Sequence, residues 1–253
     1  MKEQKQSYYE WLCCNDIVDM CKELLQKGGW TFRLEDNKLY GEGIPSPDTP
    51  WVHLKHSHWL DCTTWHRVMF DVIGKKLGQQ FVPSGCMNCY KVVVRPKTVR
   101  QLFALEALQR KLNKPSKCGI EIRQSVHGLY GGYFYNEGLA AGKECYKVVR
   151  QAVNDDPELG PNVGVLLKRA CTEYEHALGD SRKWEITDYQ LMIEDLVNQK
   201  IVRSDSSRQQ PEEIQINVKR RWIEWAYANG DGTYQDFTNG KPLYPPYATY
   251  HED

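Results

Sequence analysis

The chain has 253 residues, 41% of them hydrophobic and 26% charged, close to globular averages, which excludes a disordered or fibrous protein. Thirty-three basic and thirty-three acidic side chains cancel, so no long-range field draws the whole molecule to nucleic acid or a membrane, and anion binding must be local. No stretch approaches the roughly 20 apolar residues of a spanning helix, and the polar start, Met1 to Gln6, lacks the pattern of a secretory signal, so the sequence predicts a soluble, cytoplasmic protein.

Ser7 and Glu10 form a capping box, and Trp11, Cys14, Ile17, Val18, Cys21, Leu24 and Leu25 recur at helical spacing until Gly28-Gly29. Trp30 to Leu34 and Lys38 to Gly41 flank Glu35-Asp36-Asn37 as a hairpin. With the proline-rich loop from Ile44 to Pro50, these make an N-terminal α+β cap, residues 1–60.

The second unit, residues 61–180, reads as strand Tyr90 to Arg95, helix Thr98 to Asn113 and strand Cys118 to Arg123. A helix from Asn136 and a buried run from Val163 to Leu167 follow. Strands alternating with helices predict a small parallel βαβαβ sheet, because the connections are too long for hairpins. In the third unit, residues 181–253, Thr187 with Gln190 caps one helix and Pro211 opens another, which carries Ile214, Val218, Trp222 and Trp225 to near Gly230. Both helices are expected to cover the sheet. The aromatic tail, Tyr244 to Tyr250, is a candidate docking segment for a protein partner.

Nine cysteines, an odd number in a chain too large to need disulfide staples, read as reduced thiols or metal ligands. Gly85-Cys86-Met87-Asn88-Cys89 has the C-x2-C spacing that lets two thiolates from one turn reach a single metal. Cys118, at the start of the second strand, and Cys145, on the returning helix, are the candidate remaining ligands. A competing set is Cys62 with His66, downstream of His53, His56 and His58, which with Cys86 and Cys89 makes a Cys3His zinc site. Thiolates suit zinc and a 4Fe-4S iron–sulfur cluster alike, so the residues do not choose the metal. Cys13, Cys14, Cys21 and Cys145 also fit plain core packing.

Each expected parallel strand ends in a basic residue: Arg95, Arg123 and Lys168-Arg169. In an open parallel sheet these cluster at one edge, where ligands settle. Lys97, Thr98 and Thr172 stand at the starts of the following helices, and the glycine and aromatic loop His127 to Tyr135, with Tyr130 in it, emerges beside them to stack on a base. The expected ligand is phosphate-bearing, a nucleotide or nucleic acid. Cys171, after Lys168-Arg169 at the start of a short helix, Thr172 to Leu178, is a candidate nucleophile. Lys219-Arg220-Arg221 beside Trp222 and Trp225 is a second basic and aromatic patch, equally explained as a solvated helix face.

From these residues the sequence predicts a metal-binding α/β protein with a basic ligand site. The alternative is an interaction protein that catalyses nothing and whose zinc is purely structural.

Overall fold

The computed structural model describes residues 17–19, 32–41, 48–55, 68–70, 74, 80–123, 126–202 and 210–244. Most of the first expected helix, with Cys13, Cys14 and Cys21, lies outside this set, as do His56, His58, Cys62, His66 and the tail beyond Tyr244. No helix among the described residues is long and apolar enough to cross a membrane.

The hairpin pairs β1 (Phe32–Glu35) with β2 (Lys38–Gly41). Its two turn residues, Asp36 and Asn37, both have positive φ (49° and 55°), the backbone that a two-residue turn matching strand twist requires. β2 continues in parallel with β8 (Ile201–Val202), at the end of α4 (Asp188–Lys200). Leu39, Ile193, Val197 and Ile201 close a small core there with Ile17, Val18, Val68 and Met69.

The larger sheet corrects the expected parallel βαβαβ core: it has five strands, and every neighbouring pair in it is antiparallel. β4 (Cys89–Arg95), α1 (Val99–Leu112) and β5 (Ser116–Ile120) form where the sequence places strand, helix and strand. Then Tyr130–Glu137, expected as a loop, is the long strand β6, followed by α2 (Leu139–Asp155) and β7 (Gly164–Arg169). β6 inserts between β4 and β5, while β7 joins the far side of β4 and β3 (Trp51–Lys55) pairs with β5. β4 and β5 therefore run in the same direction without touching. The β4-α1-β5-β6-α2-β7 path is the split βαβ, or ferredoxin-like, arrangement, with one added edge strand.

Local chemistry agrees with these elements. Thr98 caps α1 by accepting from the Gln101 amide at 3.2 Å, Asn113 ends it in the left-handed region (φ 48°), and Thr187 caps α4 through the Gln190 amide at 3.1 Å. Val92, Val94, Cys118, Tyr130 and Phe134 line one face of the sheet, buried with Leu102, Leu105 and Leu108 of α1 and Cys145, Val149 and Val153 of α2. The same core takes in Val218, Trp222 and Ala226 of α5 (Glu212–Ala228). At Gly132, a Cβ would stand 2.4 Å from a Leu105 methyl, so glycine lets α1 lie directly on β6.

β3 is an edge strand, and the side-chain amide of Gln210 covers its outer rim. It accepts from the His53 amide at 2.9 Å and donates to the Trp51 carbonyl at 3.1 Å, as a neighbouring strand's peptide group does. Trp222 Nε1 donates to the Pro50 carbonyl just before it, at 3.0 Å.

Candidate functional site

Side chains alternate along β4, so Lys91, Val93 and Arg95 point to the sheet face opposite the helices. Lys91 lies directly across from Tyr135 of β6 and Lys168 of β7, placing two ammonium groups side by side. Over this second face runs α3 (Thr172–Leu178), held by the fully buried Tyr174, which packs edge-on against Phe70 at 4.9 Å between ring centroids.

Four cations (Lys91, Arg95, Arg123, Lys168) and three carboxylates (Glu121, Glu173, Glu175) share this side of the sheet with the Cys171 thiol, which Lys91 contacts. Arg123 is pinned: it reaches Glu121 at 2.5 Å and Glu173 at 2.8 Å, and donates to the Tyr133 hydroxyl at 3.1 Å. Lys168 pairs with Glu175, and Lys91 Nζ, on a side chain only 8% exposed, donates to Cys171 Sγ at 3.0 Å. Arg95 differs, since its buried Nε has no hydrogen-bond partner among the described residues.

The electrostatics follow from this crowding. Burial, then the neighbouring Lys91 charge, lowers the Lys168 pKa despite the pairing with Glu175, and Arg95 adds to the effect. Burial alone would raise Glu121, but the Arg123 hydrogen bonds and charge outweigh it and hold the carboxyl below its usual value. A carboxyl with a depressed folded pKa contributes stability that is complete above its unfolded pKa, about 4.3, and is lost as pH falls through that range to the folded value. Urea denaturation should thus show stability falling below about pH 4.3, and Glu121→Gln, less stable at neutral pH, should flatten that limb. An unchanged slope in the variant would remove Glu121 from the account.

The structure brings together part of the basic edge that the sequence suggests and corrects the rest. Because β7 is antiparallel to β4, Arg95 pairs with Gly164, at the start of β7, while Lys168 and Arg169 lie at the other end. Lys168 still enters the cluster from its position on the second face. Arg169 does not: it donates to the Met87 and Ser181 carbonyls, both at 2.7 Å, between the rings of Tyr90 and Trp184. Tyr130 is in the helix-side core, its hydroxyl donating to Asp231 at 2.8 Å, so it offers no stacking surface. Thr98 is occupied as a cap, Lys97 is exposed, and Thr172 opens α3. In the second basic patch, Lys219 reaches Glu106 at 3.4 Å and Trp222 is core. Tyr244, the described end of the tail, packs its ring 5.6 Å from Tyr227.

The described cysteines divide between the two sheet faces. Cys86 and Cys89 are buried with Phe70, Val82, Met87 and Tyr174, and Cys86 Sγ lies 3.4 Å from the Tyr174 hydroxyl. Cys118 and Cys145 are buried in the helix-side core, with the sheet between the two pairs. Burial pushes both of their thiols up in pKa. The described residues contain no group of three or more His, Cys, Asp or Glu arranged to hold a metal ion.

Lys91 and Glu121 are members of the cluster that sequence reasoning passed over. Lys91 had a signal: a lysine inside the apolar run Cys89 to Val94 must have a partner or a purpose. Neither a family model, a curated protein nor a solved structure matches this chain.

Proposed function

We propose that the second face of the sheet binds a small phosphate-bearing ligand, such as a mononucleotide, through Arg95, Lys91 and Lys168. The observation that carries this reading is Arg95: a guanidinium on the same face as two lysines, with its buried Nε lacking an acceptor among the described residues. Burying such a donor costs free energy that a bound oxyanion recovers, and a planar guanidinium suits phosphate. The lowered pKa of Lys168 points the same way, because a dianion between the cations would relieve their mutual repulsion. The recessed lysines and the zero net charge favour a compact ligand over a long polyanion. The split βαβ topology itself adds nothing about function.

Isothermal titration calorimetry with inorganic phosphate and AMP at low salt tests this. Wild type should bind, more weakly as ionic strength rises, and Arg95→Ala should lose about tenfold or more in affinity, the worth of one charge-assisted contact. Lys97→Ala, on the exposed surface, should leave binding unchanged. Binding should also take up protons at alkaline pH, since the ligand restores the ammonium form of Lys168. No binding by wild type, or equal binding by Arg95→Ala, would overturn the proposal.

A further inference from the structure

Five cysteines are described; four are buried and Cys171 is partly exposed. Cys171 has a second distinguishing feature, an amine in contact with it: Lys91 Nζ lies 3.0 Å from Sγ. The contact joins residues 80 apart in sequence and is fixed from both sides. Lys91 stands on β4, which is paired on both sides, and Cys171 occupies the N-cap position of α3, whose Tyr174 is fully buried. Of the other described thiols, Cys86 meets a tyrosine hydroxyl and Cys145 the Asn136 side chain.

We infer that Cys171 and Lys91 form a redox-sensitive pair, in which a peroxide converts the contact into a covalent sulfur–nitrogen bond. This inference rests on the contact geometry and stands apart from the ligand-binding proposal. The thiolate attacks hydrogen peroxide and the O–O bond breaks: the sulfur is oxidised by two electrons to the sulfenic acid, and the departing hydroxide takes a proton from the Lys91 ammonium, leaving water and a neutral amine. The neutral Lys91 amine then attacks the sulfenic sulfur, an S–N bond forms, the S–O bond breaks, and hydroxyl leaves as water with a proton from nitrogen. Overall, one thiolate, one ammonium and one hydrogen peroxide give a sulfenamide and two waters. Sulfenic acids are known to condense reversibly with a backbone nitrogen to a sulfenamide, and a lysine amine held against the sulfur offers the same nucleophile. Because Lys91 is also one of the cations on the second face, the bond removes an ammonium from that face.

The test is peptide mapping by mass spectrometry of the full chain after mild hydrogen peroxide treatment. The expected product is a Lys91–Cys171 linked peptide pair, the chain about 2 Da lighter than the reduced protein, returning to its starting mass with dithiothreitol. In Lys91→Arg, and independently in Lys91→Met, the linked species should vanish and Cys171 should instead be captured by dimedone as sulfenic acid. Wild type that shows no linked pair, or whose Cys171 is captured by dimedone as fully as in the two variants, would overturn the inference. A Cys171 disulfide with another cysteine, distinguished by its peptide partner, would overturn it equally. Phosphate binding is not part of the readout, so the two proposals fail separately.

Discussion

Asp231→Ala should lower the stability of the protein by about 3 kcal/mol, the sum of a lost helix cap and a stranded buried hydroxyl. One oxygen of Asp231 accepts from the Val99 amide at the start of α1, at 2.6 Å, and from the buried Tyr130 hydroxyl at 2.8 Å. The other accepts from the Thr233 hydroxyl at 2.7 Å and amide at 3.1 Å. A single carboxylate thereby ties the segment after α5 to the first turn of α1 and to β6. Tyr130→Phe removes only one of these bonds and should cost about 1 kcal/mol. In that background Asp231→Ala should cost about 1 kcal/mol less than alone, because no hydroxyl is left stranded. Urea denaturation of the four proteins measures the cycle. Strict additivity would show that the hydroxyl and the carboxylate do not depend on each other.

Gly119→Ala should be comparably severe, about 3 kcal/mol, on the order of 10 °C in Tm. A Cβ at Gly119 would stand 2.2 Å from the Pro50 carbonyl oxygen, just before the adjacent edge strand, and 3.0 Å from the Trp51 Cα that begins it, both backbone atoms. A side-chain neighbour turns aside, but here the whole of β3 has to move. That movement would also disturb the packing of Trp51, whose ring lies 5.5 Å from Tyr133 and under the Lys117 ammonium. Thermal unfolding checks the size of the effect. Stability within about 0.5 kcal/mol of wild type would mean that β3 is not held where the structure puts it.

Three helix starts were legible because their signals are local, whereas Asn136, expected to open α2, lies in β6 and the helix starts at Leu139 after Gly138. Thr98, Thr187 and Pro211 each mark a start that the structure reproduces, and Asp36-Asn37 marks the hairpin turn. β6 was not legible, since Gly131-Gly132 followed by aromatics has the composition of a loop. The reason for Gly132 is a contact with Leu105 of α1, which no local pattern announces. Missing that one strand reversed the sheet: with β6 inserted, β4 and β5 cease to be neighbours and β7 turns antiparallel. The candidate site was half legible for the same reason. Arg95, Arg123, Lys168 and Cys171 carry their chemistry in their residue types, while Lys91 and Glu121 enter only through cross-strand register and the Arg123 contact.

The Gln210 amide on β3 has a bearing on how the chain is made. Residues 51 to 137 hold all the partners of β3, β5 and β6, so this part of the sheet can assemble on a growing chain well before Gln210 emerges. Until then the rim of β3 lacks its Gln210 cover, and an uncovered sheet edge is a site at which nascent chains aggregate. A late-arriving glutamine closes that rim without adding a strand. Its loss would be felt less in the equilibrium of the finished protein than in the yield of molecules that reach it.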